Sequence, residues 1–359
     1  MSGQAPGSWR MPDADPQRSR RLGVAGPAHG RQRWSLELGQ SLDEPAILGD
    51  GTILVPYSVW ANRDGLAVVA PDGRLLREIP GETTWRSPMV AADESVCALA
   101  KGAIHTMTMD GAARELVRLP AVPARMGGAP GGGFCMHTES TGFLRVDADG
   151  RERWRTARAA GDAWREGTWA FGAEGTLFVA EHDTWRSEGD SAEQFSRVAA
   201  HGADGRLLWR HVLTSPNPYD NPVNQVRSIW GRDGDAVFFG DPLIQCFGVD
   251  GAERWRIDPA REGERRTVGG TPLVLLRDPR LAQAPALLAF TGGFRDWLPC
   301  AVDAKGSVYL CKDSTVYALD PELALRWQLR LGDVRVSQPV LAPGGVLLVI
   351  AGTALHAIE

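Results

Sequence analysis

The chain of 359 residues has no run of about 18 or more apolar residues, so no segment of it is suited to cross a bilayer as a helix. It also has no basic excess. Its 39 Lys and Arg against 44 Asp and Glu leave a net charge of −5. General nucleic-acid binding, which rests on neutralising phosphates, is therefore not expected. Cysteine is scarce. Cys97, Cys135, Cys246, Cys300 and Cys311 all lie in apolar, strand-like runs, with no CxxC or Cys/His cluster of the kind that holds zinc. They read as free, buried thiols. The first residues carry arginine but no apolar core of the length a secretory signal needs. The expectation is a cytoplasmic protein with neither a membrane nor a nucleic-acid partner. Helix-period stretches are hard to find as well.

Turn residues are abundant, with 42 Gly and 24 Pro. One phrase recurs: an apolar strand, Asp-Gly, a few residues, then Trp. The clearest copies run from Asp149-Gly150 to Trp154, from Asp204-Gly205 to Trp209 and from Asp250-Gly251 to Trp255. Weaker copies run from Gly30 to Trp34, Asp72 to Arg77, Asp110 to Glu115 and Asp320 to Trp327. Between them lies a second phrase, a Pro or small residue followed by two apolar strands about a tight turn, as in Pro45 to Val55 and Pro339 to Val349. Asp-Gly between apolar runs marks a hairpin, because Gly accepts positive φ without steric cost. Four short strands in roughly 40 residues match the period of a propeller blade. A blade cannot bury both faces alone, so blades must stack around an axis. The recurrent Trp suits an outer-strand anchor that docks onto the next blade.

The stretch Pro299-Cys-Ala-Val-Asp-Ala-Lys-Gly306-Ser-Val-Tyr309-Leu, with Thr315-Val-Tyr-Ala-Leu-Asp320 and Trp327 after it, resembles the quinoprotein (PQQ-like) repeat with its tryptophan-docking motif. The resemblance covers residues 30–359 and implies an all-β fold: a single β-propeller of four-stranded antiparallel blades. Seven units are clear. The stretch Gly270 to Leu298 has two strand-like runs but no Asp-Gly/Trp phrase. It reads either as an eighth, degraded blade or as a hairpin inserted in a seven-bladed ring, and the family favours eight. The chain ends in a third-strand pattern, Thr353 to Glu359, and starts its repeats with an orphan outer strand around Trp34. These two are expected to pair and close the ring, which removes exposed edges. Residues 1–29 then read as a disordered tail.

Any site must lie in what the repeats leave unexplained. The long loops, at residues 58–65, 157–167, 181–195, 213–226, 259–269 and 291–298, fall after second and fourth strands and so on one face. An Arg often precedes the innermost strand: Arg86, Arg125, Arg165, Arg227, Arg266 and Arg335. Converging guanidinium groups would take an anionic small molecule or an acidic partner segment; local pairing with Asp or Glu is the competing reading. Trp60, Trp85, Trp164, Trp185 and Trp297 lie in or near the same loops, as interface anchors or as covers over blade junctions. Asp220 and Asn221 sit in the most polar loop, whose spacing matches no calcium site. His182 beside Asp183 has the chemistry of a general base, against the simpler reading of a solvated histidine.

Three functional classes follow. A non-catalytic scaffold would bind a protein, a peptide or an anion on the loop face, with no cofactor and no metal. An enzyme, either a PQQ-dependent dehydrogenase or a lyase or hydrolase, is the alternative. For the dehydrogenase, PQQ would place its carboxylates on the Arg ring, but the chain is short for that group and has no adjacent Cys pair or calcium-ligand set. An envelope assembly factor, also represented in the family, would need a lipidated Cys near the N-terminus, and the first cysteine is Cys97.

Overall fold

The computed structural model describes residues 20–359 apart from positions 42–43, 59–63, 82–84, 92–93, 110, 121–122, 124, 139–141, 157–163, 173, 184–195, 214–224, 233, 242, 270, 277–278, 282–286, 292–293 and 299, together with residues 11, 14 and 15. Among the described residues the chain forms eight antiparallel sheets, seven of four strands and one of five. We number these sheets as blades 1 to 8. They span 40–81, 86–118, 125–155, 164–213, 225–257, 264–298 and 300–330, and the last combines 340–358 with 32–37. Within each of blades 2 to 7 the strands pair in sequence order, and the inner strands of blades 1 and 2, 2 and 3, 4 and 5, and 7 and 8 lie side by side. This is a β-propeller with the blade count that the sequence favours. The ambiguous stretch is blade 6, built from Glu264–Val268, Thr271–Leu275, Leu287–Thr291 and Phe294–Leu298.

Ring closure follows the expectation. Gln32–Glu37 pairs antiparallel with Ala354–Ile358 and supplies the outer strand of blade 8. Arg31 and Glu359 continue the match through reciprocal backbone bonds of 3.2 and 2.9 Å.

The Asp-Gly and Trp positions are two halves of one contact. Each Asp accepts from the amide two residues on, at 3.1 Å for Asp72, 3.0 Å for Asp204 and 3.1 Å for Asp250. The Ala252 amide, with Arg254 assisting, holds the Asp250 carboxyl below its usual range. The following Gly has φ of 89° at Gly73, 81° at Gly205 and 80° at Gly251. Its missing side chain makes room for the preceding blade's Trp. A Cβ on Gly205 would lie 2.7 Å from the Trp154 ring, and one on Gly251 would lie 2.7 Å from Trp209. The indole N–H then donates across the junction: Trp34 to Pro71 O at 3.1 Å, Trp154 to Ala203 O at 2.9 Å and Trp209 to Val249 O at 3.1 Å. Weaker copies substitute smaller contacts. Gly150 meets Leu116, and Gly111 meets Arg77 and Ile79. Blade 6 lacks the phrase because Trp255 is covered differently. The single turn Pro279–Leu281 places the Arg280 guanidinium over its ring, 5.2 Å from the centroid.

Apolar residues on both faces of the middle strands fill the junctions. Leu99, Met126, Met136 and Leu144 join blades 2 and 3. Phe143, Trp154, Trp169 and Phe171 join blades 3 and 4. All five cysteines are free and buried, as read from the sequence.

The expected tail is corrected over residues 20–29. Arg20 and Leu22 are buried, and residues 20–24 bond to the inner strand of blade 7. The Gly26 amide donates to Asp303 at 2.9 Å, and Pro27 O accepts the Trp327 indole N–H at 3.3 Å. The Gly- and Pro-rich composition there serves close approach rather than disorder. A Cβ on Gly30 would lie 2.6 Å from the Trp327 ring.

Two predictions follow. Trp154→Ala removes a buried ring and its cross-blade bond, and is expected to cost about 3 kcal/mol in urea unfolding. A cost under about 1 kcal/mol would show that the docking contact does not carry the junction. His201 and His356 both have pKa values lowered by burial. The folded form therefore binds fewer protons than the unfolded chain, and stability is present above about pH 6.5 and lost as pH falls below it. The melting temperature should drop between about pH 7 and pH 5.5, and a His201→Gln, His356→Gln double variant should flatten that slope.

Candidate functional site

Loops after second and fourth strands emerge on one face, the Asp-Gly turns on the other. Of the loops expected on that face, residues 157–163, 184–195 and 214–224 lie outside the described residues. The expected loops are shorter than read, most of all 259–269 and 291–298, where Glu264–Val268 and Phe294–Leu298 are strands.

Arg86 and Arg125 open the inner strands Arg86–Val90 and Arg125–Gly128, at the loop end of each. Arg86 opposes Leu99, and Arg125 opposes His137. A bulge between Arg86 and Met89 brings Arg86 to its place, with Ser87 held at φ 47°. Ser87 Oγ accepts from the Met126 amide of the next blade at 3.2 Å, which locks the two inner strands side by side. Directly opposed residues share a face. Arg86 therefore lies over the junction of blades 2 and 3 with Leu99, and Arg125 lies on the face of blade 3 that carries His137. Both side chains are exposed, and neither has an ion pair among the described residues.

Beneath Arg125 a buried polar chain crosses from blade 3 to blade 4. The His137 ring packs on Phe143 at 4.8 Å, and its Nε2 lies 3.9 Å from Glu181 Oε1. Arg197 donates from Nε and Nη2 to Glu181 Oε2 at 2.8 and 2.6 Å. Glu181 and Arg197 are direct cross-strand partners, which sets this geometry. Their side chains are 12% and 9% exposed. The group pairs an imidazole with a carboxylate that a guanidinium anchors. Sequence reasoning missed it, since the three residues belong to different strands and no spacing links them.

The remaining candidates separate. Arg165 and Arg227 lie within Trp164–Phe171 and Gln225–Gly231, with side chains outside the described set. Arg266 pairs with Glu264. Arg265, which the sequence did not single out, is exposed beside it. Arg335 is exposed at the same end, but it precedes Val336, which bridges Ala351 on the second strand of blade 8. Trp85 is 5% exposed and meets His105 edge-on at 5.4 Å, so it packs the junction of blades 1 and 2. Trp164 and Trp297 lie in strands, with side chains outside the described set, as does the His182 side chain. Trp60, Trp185, Asp220 and Asn221 lie outside the described residues. No group of three or more His, Cys, Asp or Glu is placed to hold a metal among the described residues. The Cys246 thiol is pushed up to about 12, chiefly by burial, and burial raises Cys311 too. Neither is an activated nucleophile.

No family model matches the chain, and no curated protein matches it by sequence. Solved structures do. It is similar to virginiamycin B lyase from Staphylococcus aureus, with a TM-score of 0.53 at 13% identity over 91% of this chain and 98% of that one. It is similar to the WD40 β-propeller domain of Doa1, with a TM-score of 0.55 at 10% identity over 92% and 96%. It is similar also to BBS1N, solved in complex with ARL6DN, with a TM-score of 0.51 at 11% identity over 93% and 97%. At these identities the likeness shows the propeller fold. The structures include both an enzyme and a protein-binding module.

Arg197→Met should cost about 3–5 kcal/mol, because Glu181 would be left buried and unpaired. Urea unfolding measures it. The double variant Arg197→Met, Glu181→Leu should recover most of the loss, and failure to recover would mean that packing, not the charge pair, is at stake.

Proposed function

We propose that this protein is a binding propeller whose loop face and channel mouth hold an acidic segment of a partner protein. The observation that carries the reading is the pair Arg86 and Arg125, exposed on adjacent inner strands with no carboxylate spent on either among the described residues. Guanidinium groups recognise carboxylate or phosphate in a bidentate way, so an anionic small molecule satisfies the same chemistry. Long loops on a rigid ring supply the surrounding surface. The repeats resemble the quinoprotein-type class on the residues of blade 7, and five free, buried cysteines fit a reducing, cytoplasmic setting.

The alternative is a lyase or hydrolase that would use His137 and Glu181 as proton-transfer groups. That reading needs substrate to reach side chains only 6% and 12% exposed. A PQQ-dependent dehydrogenase draws on the repeat resemblance alone.

A fluorescent oligo-glutamate peptide tests the main reading. Wild-type protein should bind it saturably, and the affinity should fall as salt rises. The double variant Arg86→Glu, Arg125→Glu should bind at least about tenfold more weakly with an unchanged melting temperature. Equal binding by the double variant would sink the proposal. Saturable binding of PQQ with calcium, followed by dye-linked turnover, would favour the enzyme instead.

A further inference from the structure

Described residues ahead of the ring-closing strand lie inside the ring. Met11 lies against the inner strands of blades 2 and 3, where a Cβ on Gly128 would come within 2.5 Å of its methyl group. Ala14, Arg20 and Leu22 are 2%, 3% and 6% exposed. By Arg20 the chain has reached the inner strands of blades 7, 8 and 1, on another sector of the channel.

There it behaves as an added strand. Val302 donates to Arg20 O at 2.9 Å, and Leu22 donates to Val302 O at 3.0 Å. The pairing is parallel, to the channel-side edge of the inner strand of blade 7. The Arg20 side chain meanwhile enters a pocket made by three blades. Nε donates to Cys300 O at 3.1 Å, and Nη2 donates to Pro339 O at 3.2 Å. Nη1 donates to Gln338 Oε1 at 2.9 Å and to Glu44 Oε2 at 3.2 Å. Among the described residues, four oxygens engage all three guanidinium nitrogens, a set that a planar fork satisfies and an ammonium does not. Arg20 itself sits at φ 51°, in the left-handed region that a residue with a side chain holds only where its surroundings impose it.

Main-chain pairing for affinity and a side-chain pocket for selectivity together form the strand-addition mode of peptide recognition. We propose that this pocket is a recognition site for an arginine carried on an extended peptide, filled in the isolated chain by its own Arg20 and open to the arginine of a partner segment in its place. Release of the segment unpairs no blade, since the ring closes through Gln32–Glu37 and Gly26 and Pro27 remain anchored beyond it. Gly23, with open space around its α-carbon, supplies the pivot. The site is separate from Arg86 and Arg125 and selects the opposite charge.

The test uses the full chain and a fluorescent peptide with the sequence of residues 16–26. Wild-type protein, its pocket filled in cis, should bind the peptide weakly. Arg20→Ala protein should bind it at least about tenfold more tightly, and adding Glu44→Gln to that variant should remove most of the gain. A peptide in which lysine replaces the arginine at position 20 should bind at least about tenfold more weakly than the arginine form. Equal binding by wild-type and Arg20→Ala protein, or equal binding of the two peptides, would overturn the proposal. Should Arg20→Ala fail to fold, hydrogen exchange on the wild-type chain decides. Excess arginine peptide should speed exchange at the Leu22 amide, and an unchanged rate there would equally overturn it.

Discussion

The docking of an outer-strand tryptophan onto the glycine of the next blade's turn is the contact on which the ring depends. It needs three things at once. The turn must hold a positive φ, the glycine must leave room for a ring at under 3 Å from where a Cβ would be, and a backbone carbonyl must face the indole N–H. One Asp-Gly turn supplies all three. The same contact explains both the regular copies and the exceptions, where Leu116 or the Arg280 guanidinium takes over. It also explains why most of the conspicuous residues in the sequence are structural. Trp34, Trp154 and Trp209 are committed to neighbouring blades, and Trp85 to a junction.

Ring closure is the second constraint. A propeller left open would expose two sheet edges. Pairing Gln32–Glu37 with the last strand removes the problem, and it also dictates where the preceding residues go. They must come from the channel side, cross below Trp327 and Tyr309 and reach the rim of blade 8. The burial of Arg20 in the channel follows from that route. The ring thus has a mouth with two characters, exposed arginines over blades 2 and 3 and a carboxylate-and-carbonyl pocket at blades 7, 8 and 1.

On the proposed reading, binding and fold occupy different residues. The repeat positions are used between blades, while Arg86, Arg125 and the His137–Glu181–Arg197 chain stand where the repeat makes no demand. Arg86 and Arg125 were legible because each precedes an inner strand, and strand starts can be read from apolar runs. Arg266 reads the same way from sequence, yet Glu264 beside it takes up its charge. Arg20 was not legible at all. It lies among Gly, Pro and polar residues, a composition that marks either disorder or close packing.

What the sequence by itself determined is everything periodic: the four-stranded blade, the hairpin turns, the role of the tryptophans and the pairing of the first strand with the last. These rest on local turn chemistry and on alternation within single strands, which the order of residues records directly. What only the tertiary structure decided is the set of contacts between blades and across the channel. The Glu181–Arg197 ion pair beside His137 and the four oxygens around Arg20 join residues up to |i−j| = 319 apart in sequence. No periodicity encodes such meetings, because they depend on how the stacked blades bring separate strand ends to one place.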